Sequence, residues 1–242
     1  MKTRASQSPT SAKIATLDWP RIGGELDASG VANIGAILTQ AECRELVGLY
    51  GDDGQFRSRI VMNRHGFGSG EYKYFSYPLP ALVEKLRRAL YPRLAAAANH
   101  WATALGTADT FPDKLEDMLA RCHAAGQTKP TPLMLSYRAG DYNCLHQDIY
   151  GALVFPLQVV VLLSEPGRDF EGGEFVVVEQ RPRMQSKAEV VSLRQGEAAV
   201  FATRERPKQG TKGVYRVQLR HGVSRIRSGE RKTLGLIFHD AG

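Results

Sequence analysis

The chain has 242 residues, is 43% hydrophobic and carries a net charge of +7, enough to bury one sizeable core. Charge interrupts every apolar run before it reaches membrane-span length, and the Ser/Thr/Lys-rich start lacks the apolar block of a secretory signal. Cys43, Cys122 and Cys144 are odd in number with no C-x-x-C spacing, which argues against a zinc or disulfide framework and for a reducing cytoplasm.

The charge is uneven. Between Arg181 and Lys232 stand fourteen basic and four acidic residues, a surplus of ten, so the remainder is net −3. Such a basic half is the footprint of a polyanion binder, or only a solvated cationic surface.

Taken in chain order, residues 1–15 are expected to form a disordered tail. Residues 16–130 are expected to form a helical layer that includes a substrate-recognition segment. Thr39 to Tyr50 predicts a helix, with Glu42 three residues after Thr39 as in a capping box. Phe56 to Tyr77 is dense in Arg, Gly and aromatic residues, with short β-like pieces. Ala81 to Leu105 predicts one long helix broken or kinked at Pro92, and Pro112 to Ala124 predicts another. Beyond Pro130 the texture changes to short β-runs: Leu133–Arg138, Leu153–Leu163, Glu174–Glu179, Val190–Leu193, Ala198–Thr203, Val214–Leu219 and Thr233–His239. Many short strands with turn signals and no helices between them predict an antiparallel jelly roll over 131–242. The fold class is therefore α+β, mainly β, with N-terminal helices packed on one face in a single globular unit.

His146, Gln147 and Asp148 carry the chemistry, with His221 much later. On a strand, residues two apart point to one face, so His146 and Asp148 can grip one ion together. A second histidine completes a facial set of two imidazoles and one carboxylate, which leaves sites open on the metal and suits Fe(II). Taken singly, each such residue is more often a satisfied polar group at a strand end than a ligand. Arg231 alternates with Leu234, Leu236 and Phe238 and shares its face with Thr233 and Gly235. An inward arginine is unfavourable unless it meets an anion, and a carboxylate answers that need, with Thr233 as a neighbouring donor. Tyr137 is a second candidate for that carboxylate, or a core residue.

Tyr137 to Asp148 resembles the Y-x-x-G…H-x-D stretch of prolyl-hydroxylase-like Fe(II)/2-oxoglutarate dioxygenases. Phe170-Glu-Gly172-Gly173-Glu174-Phe175 is similar to their mid-barrel F-x-G-G-E-F turn. Arg220-His221-Gly222-Val223 with Gly229-Glu-Arg231-Lys-Thr233-Leu234 resembles their distal element. Further strings resemble a bacterial subfamily described as oxygenases for oxidative demethylation of damaged DNA. These are Phe56-Arg-Ser-Arg59, Glu71-Tyr-Lys-Tyr-Phe75, Cys122-His-Ala-Ala-Gly-Gln127, Phe155-Pro-Leu-Gln158 and Glu179 to Gln185.

The resemblance implies a double-stranded β-helix with iron on His146, Asp148 and His221. It also implies 2-oxoglutarate as co-substrate, its far carboxylate on Arg231 and Thr233. Alkylated nucleic acid, DNA over RNA, is the implied substrate; hydroxylation of a protein or peptide side chain is the alternative. Neither a membrane nor an obligate protein partner is called for. A binding module without turnover is a third reading, opposed by the intact His146, Asp148, His221 and Arg231.

Phe56 to Phe75 is the candidate recognition segment. Arg57, Arg59 and Arg64 would meet phosphates, and Phe67, Tyr72 and Tyr74 would stack on an extruded base. The plain alternative is a twisted hairpin that extends the sheet, with its arginines paired to local acids.

Overall fold

The computed structural model describes residues 9–149, 151–181 and 183–242. Its first half runs α1 (Pro9–Ala15), α2 (Trp19–Ser29), β1 (Val31–Ala36), α3 (Gln40–Leu49), β2 (Phe56–Val61), β3 (Gly68–Ser69), β4 (Glu71–Phe75), α4 (Ala81–Ala104) and α5 (Leu115–Ala124). The second half begins with β5 (Leu133–Arg138), β6 (Tyr142–His146), β7 (Leu157–Leu162), β8 (Phe170–Gly172) and β9 (Phe175–Gln180). It ends with β10 (Lys187–Val191), β11 (Glu197–Ala202), β12 (Glu205–Gly210), β13 (Gly213–Val223) and β14 (Ile226–Leu236).

The strands form two antiparallel sheets. One is eight-stranded in the order β1-β11-β7-β14-β5-β4-β2, with β8 on β14; the other is six-stranded in the order β10-β9-β13-β6-β3, with β12 on β13. Phe175 of β9 meets Phe201 of β11 at 5.0 Å between ring centroids, so the sheets face each other across an apolar core. This is the expected jelly roll. All six residues of β7 are buried, because one face lines the core and the other lies under the helices. On β14, Leu234, Leu236 and the following Phe238 are fully buried towards the helical side, where Tyr91 of α4 stacks against Phe155 and Phe238.

The capping box of α3 forms as predicted, Thr39 and Glu42 satisfying each other's backbone N–H. Helix α4 continues through Pro92 as one element of 24 residues, since its apolar stripe is buried on both sides of the proline.

The structure corrects two expectations and shows where part of the basic surplus goes. Residues 1–8 of the expected tail lie outside the described residues, but Pro9–Ala15 is helical, with Ile14 buried and the Thr10 hydroxyl donating to Glu42 at 2.9 Å. Ile14 anchors this short helix where composition alone suggested solvent. The N-terminal layer holds a strand that was not expected: β1 pairs with β11 at one sheet edge, while the β-like pieces expected within Phe56–Tyr77 form β2 and β4 and extend the other. A bulge between Asn33 and Gly35 hides the alternation of β1 from a period-two reading. Finally, the basic run Arg204–Lys212 is mostly a strand. Arg206 is 1% exposed, donates to the Asp27 and Ala28 carbonyls at the end of α2 and pairs with Glu179. A cation there satisfies the last carbonyls of the helix.

The chain end is tied down by buried polar groups, and they predict acid lability. Arg87, fully buried, donates to the Ile237 carbonyl and pairs with Asp240 at 3.0 Å. His239 Nδ1 accepts the Phe155 N–H at 3.1 Å, so the ring is held neutral. Burial, then the charge of Arg87, lowers the pKa of His239 to about 4. The unfolded chain, near the ordinary value of about 6.5, therefore takes up this proton first as pH falls. Stability from this group is intact above about pH 6.5 and is lost on the way down to pH 4, by roughly 3 kcal/mol. Urea midpoints taken from pH 7.5 to 4.5 should show the decline, and His239→Asn, whose amide oxygen can still accept, should flatten it. An equally steep decline in that variant would refute the assignment.

Candidate active site

Strand β6 ends at His146, and β13 carries His221 directly opposite it in the antiparallel register. Asp148 lies two residues past the strand end. The expectation that His146 and Asp148 share a strand face is therefore corrected: the chain turns out of the sheet, and Asp148 reaches back. Its carboxylate stands 3.5 Å from His146 Nε2 and 3.3 Å from His221 Nε2, with the imidazole centroids 4.2 Å apart. The three donor atoms lie within 4.8 Å of one another. Donors at bond lengths of about 2.1 Å and near right angles around one ion stand roughly 3 Å apart, so small adjustments close this set on a metal.

The surrounding groups set the tautomer of His146 and the charge of the set. His146 Nδ1 lies 2.8 Å from the Cys144 carbonyl; donating there, it leaves the Nε2 lone pair towards Asp148. Burial favours a neutral His146, but the Asp148 carboxylate outweighs it and raises the pKa. Burial, then the charge of His146, lowers that of His221. Burial also opposes charge on Asp148, yet the two imidazoles hold its carboxyl well below the ordinary range. Two imidazole nitrogens and a carboxylate oxygen, with no thiolate among them, suit a borderline divalent ion such as Fe(II).

Behind this set lies a cavity of about 260 Å³ between the sheets. Arg231, Thr233 and Tyr137 line it, on the inward face predicted for β14 and on β5. Arg231 is 2% exposed, and its Nε and Nη1 have no hydrogen-bond partner among the described residues. Burial pulls its pKa down to about 10, a sign that the guanidinium is held in a dry place without an anion. The rings of Tyr137 and Phe170 stand 5.8 and 5.9 Å from its central carbon. A buried cation with unsatisfied donors fits the far carboxylate of a dicarboxylic acid chelating the metal from the same cavity.

Several shaping residues carried no assigned role in the sequence reading. Phe175 and Phe201 flank the His221 ring at 6.0 and 4.6 Å. Gly173, at φ +64°, lies against Arg231: a Cβ there would come within 2.9 Å of Arg231 Cδ and 2.2 Å of Ile226 Cδ1. Gln147, between the two ligand positions, donates to the Leu219 carbonyl at 2.8 Å and so ties this segment to β13. Gln127, from the Cys122–Gln127 string, clasps Leu153 through both its amide groups and holds the loop that follows Asp148. The F-x-G-G-E-F string signalled Phe175 and Gly173; nothing in the sequence aligned Phe201 with His221.

The candidate recognition residues divide. Phe67 and Tyr72 line the cavity. Arg59 pairs with Glu71, Arg57 donates to the Pro130 carbonyl at 2.9 Å and stacks on Tyr74, and Tyr74 is itself buried. Arg64 is exposed and lies off the cavity wall. Most of Phe56–Phe75 thus serves as the sheet-extending hairpin, because its polar side chains find partners within the fold.

A family model described as "Oxygenase, catalysing oxidative methylation of damaged DNA" matches residues 70–241. The chain belongs to this family. An uncharacterized protein of Mycobacterium tuberculosis, found in two strains, is 54% identical over 189 residues, 78% of each chain. Among solved structures, a Pseudomonas putida prolyl-4-hydroxylase superposes with a TM-score of 0.55 at 14% identity, covering 93% of this chain and 99% of its own. A 2OG-Fe(II) oxygenase-family oxidoreductase from Burkholderia pseudomallei gives 0.53 at 15% identity, covering 94% and 93%. At such identities the likeness concerns the fold. By that family the protein is an oxygenase, and the His146–Asp148–His221 set offers the donors that a divalent ion such as Fe(II) takes.

Proposed function

We propose that this oxygenase removes methyl groups oxidatively from alkylated bases in nucleic acid, DNA in preference to RNA. The observation that carries the reading is the aromatic pair Phe67 and Tyr72 on the cavity wall before the metal set. Phe67 is 47% exposed and stacks on His65 at 5.3 Å between ring centroids, which leaves its other face to a flat partner entering from solvent. The description of the family names damaged DNA as what its members act on, which supports the choice of substrate.

In this reading His146, Asp148 and His221 hold the iron, while Arg231 and Thr233 hold the far carboxylate of 2-oxoglutarate, with Tyr137 beside them. When bound, iron and 2-oxoglutarate supply the oxidant that hydroxylates a C–H bond, with succinate and CO2 as co-products. The protein's share is orientation and dryness. Buried Phe175 and Phe201 keep water from the back of His221, and Arg231 sets the depth of the co-substrate. A methyl group on a base nitrogen would leave as formaldehyde once hydroxylated, the hydroxyl proton passing to that nitrogen.

Phosphate contacts are fewer than the basic surplus suggests. Arg206, Arg231 and Lys232 are buried, and Arg181 and Lys208 share Glu179. Binding is therefore expected to weaken only modestly with salt, by the slope of a few phosphate contacts. The deciding measurement is formaldehyde and succinate release from methylated single-stranded oligonucleotides beside proline-containing peptides. Stoichiometric release on the oligonucleotides supports the reading, and succinate formation driven only by peptide refutes it.

A further inference from the structure

A second cavity, of about 400 Å³, opens beside the first and shares Ile149 with it as a common wall. Ile149 directly follows Asp148 and is 47% exposed, so the boundary that the two spaces share reaches the surface. The floor of this groove is apolar, formed by Trp101, Leu105, Phe111 and Leu153, with Thr107 and Thr110 at its edge. It is held in register with the metal set by two clasps, the first already described. Gln127 fixes Leu153, and Gln147 donates to the carbonyl of Arg204, a groove residue, at 3.1 Å.

We infer that this groove receives the ring of the nucleotide next to the one whose base is being oxidised, so that the enzyme selects a strand and not a free base. The inference rests on the nucleic-acid reading above. Continuity at Ile149 means that an occupant of the groove and a base in the catalytic cavity would be neighbours on one chain. The charges at the rim, Arg121 and Arg204 against Asp109 and Glu205, balance, which disfavours a phosphate as the occupant. Apolar walls with hydroxyl groups at the edge match a heteroaromatic ring, whose faces are apolar and whose rim is polar.

The test compares single-stranded oligonucleotides with one N-methylated base, in which the 5′ neighbour, the 3′ neighbour or neither is abasic. The wild-type protein is expected to lose about tenfold or more in kcat/KM on one abasic arm. In Ala152→Trp, whose indole would fill the groove, the intact and abasic arms should become equal; Ala152→Ser should keep the wild-type ratio. Because the ratio is taken within each protein, partial unfolding scales both arms alike. Equal rates on all three arms in the wild type, or an undiminished ratio in Ala152→Trp, would overturn the inference. So would turnover of the methylated nucleoside as efficient as that of the intact strand. Turnover of peptides with none of any nucleic acid would instead sink the parent reading, and this inference with it.

Discussion

Asp148→Ala is expected to lose iron binding and succinate formation together, by at least about a thousandfold, or roughly 4 kcal/mol. The carboxylate is the only anion among the three donors, and both Nε2 atoms converge on it at 3.3 and 3.5 Å. Without it, two neutral rings face a doubly charged ion that keeps more of its water, and the metal affinity falls with the lost charge. Asp148→Asn separates charge from donor geometry, since the amide oxygen keeps the position but not the charge; it should fall nearly as far. Anaerobic titration with Fe(II) and 2-oxoglutarate, followed by the visible absorption of the chelate, measures binding apart from turnover. Retention of metal affinity within tenfold in both variants would remove Asp148 from the site.

Arg231→Met is expected to separate function from stability. The KM for 2-oxoglutarate should rise about a hundredfold, equivalent to roughly 2.7 kcal/mol for a lost charged contact. The unliganded protein should become more stable. Its guanidinium is 2% exposed with two nitrogens unsatisfied, and burial has already drawn its pKa down to about 10. Replacing such a cation by an apolar side chain of similar length is neutral to stabilising by about 1–4 kcal/mol. For a chain of this size each kcal/mol corresponds to about 2–4 °C in Tm. Melting curves with and without 2-oxoglutarate, in the presence of a redox-inert divalent metal, read both effects. The wild type should rise with ligand and the variant should start higher but stay flat. A variant that melts lower and still responds to 2-oxoglutarate would show that Arg231 has a structural role only.

Much of this architecture was readable from local pattern because local physics set it. The β14 segment from Arg231 to Phe238 alternates because one face lines the cavity and the other lies under the helices, and this placed Arg231 and Thr233 correctly. The capping box of α3 was equally local. The chain's charge surplus was misleading, since composition does not say which cations are spent inside, as Arg206 is on Glu179 and the carbonyls ending α2. The two readings offered for the arginines of Phe56–Phe75 could not be separated for the same reason; in the fold, Arg57 and Arg59 satisfy groups of their own hairpin and its neighbour.

By itself, the order of residues determined the fold class, the three candidate metal donors and the arginine behind them, because strand periodicity fixes the face of Arg231 and the choice of side-chain types fixes the ligand chemistry. Tertiary structure alone decided that Asp148 reaches back from beyond its strand and that Phe67 and Tyr72 border the cavity while Tyr74 does not. It also decided that a second groove adjoins the first at Ile149. Those facts depend on which strands pair and in what register, and pairing across a hundred residues is set by the packing of the whole core.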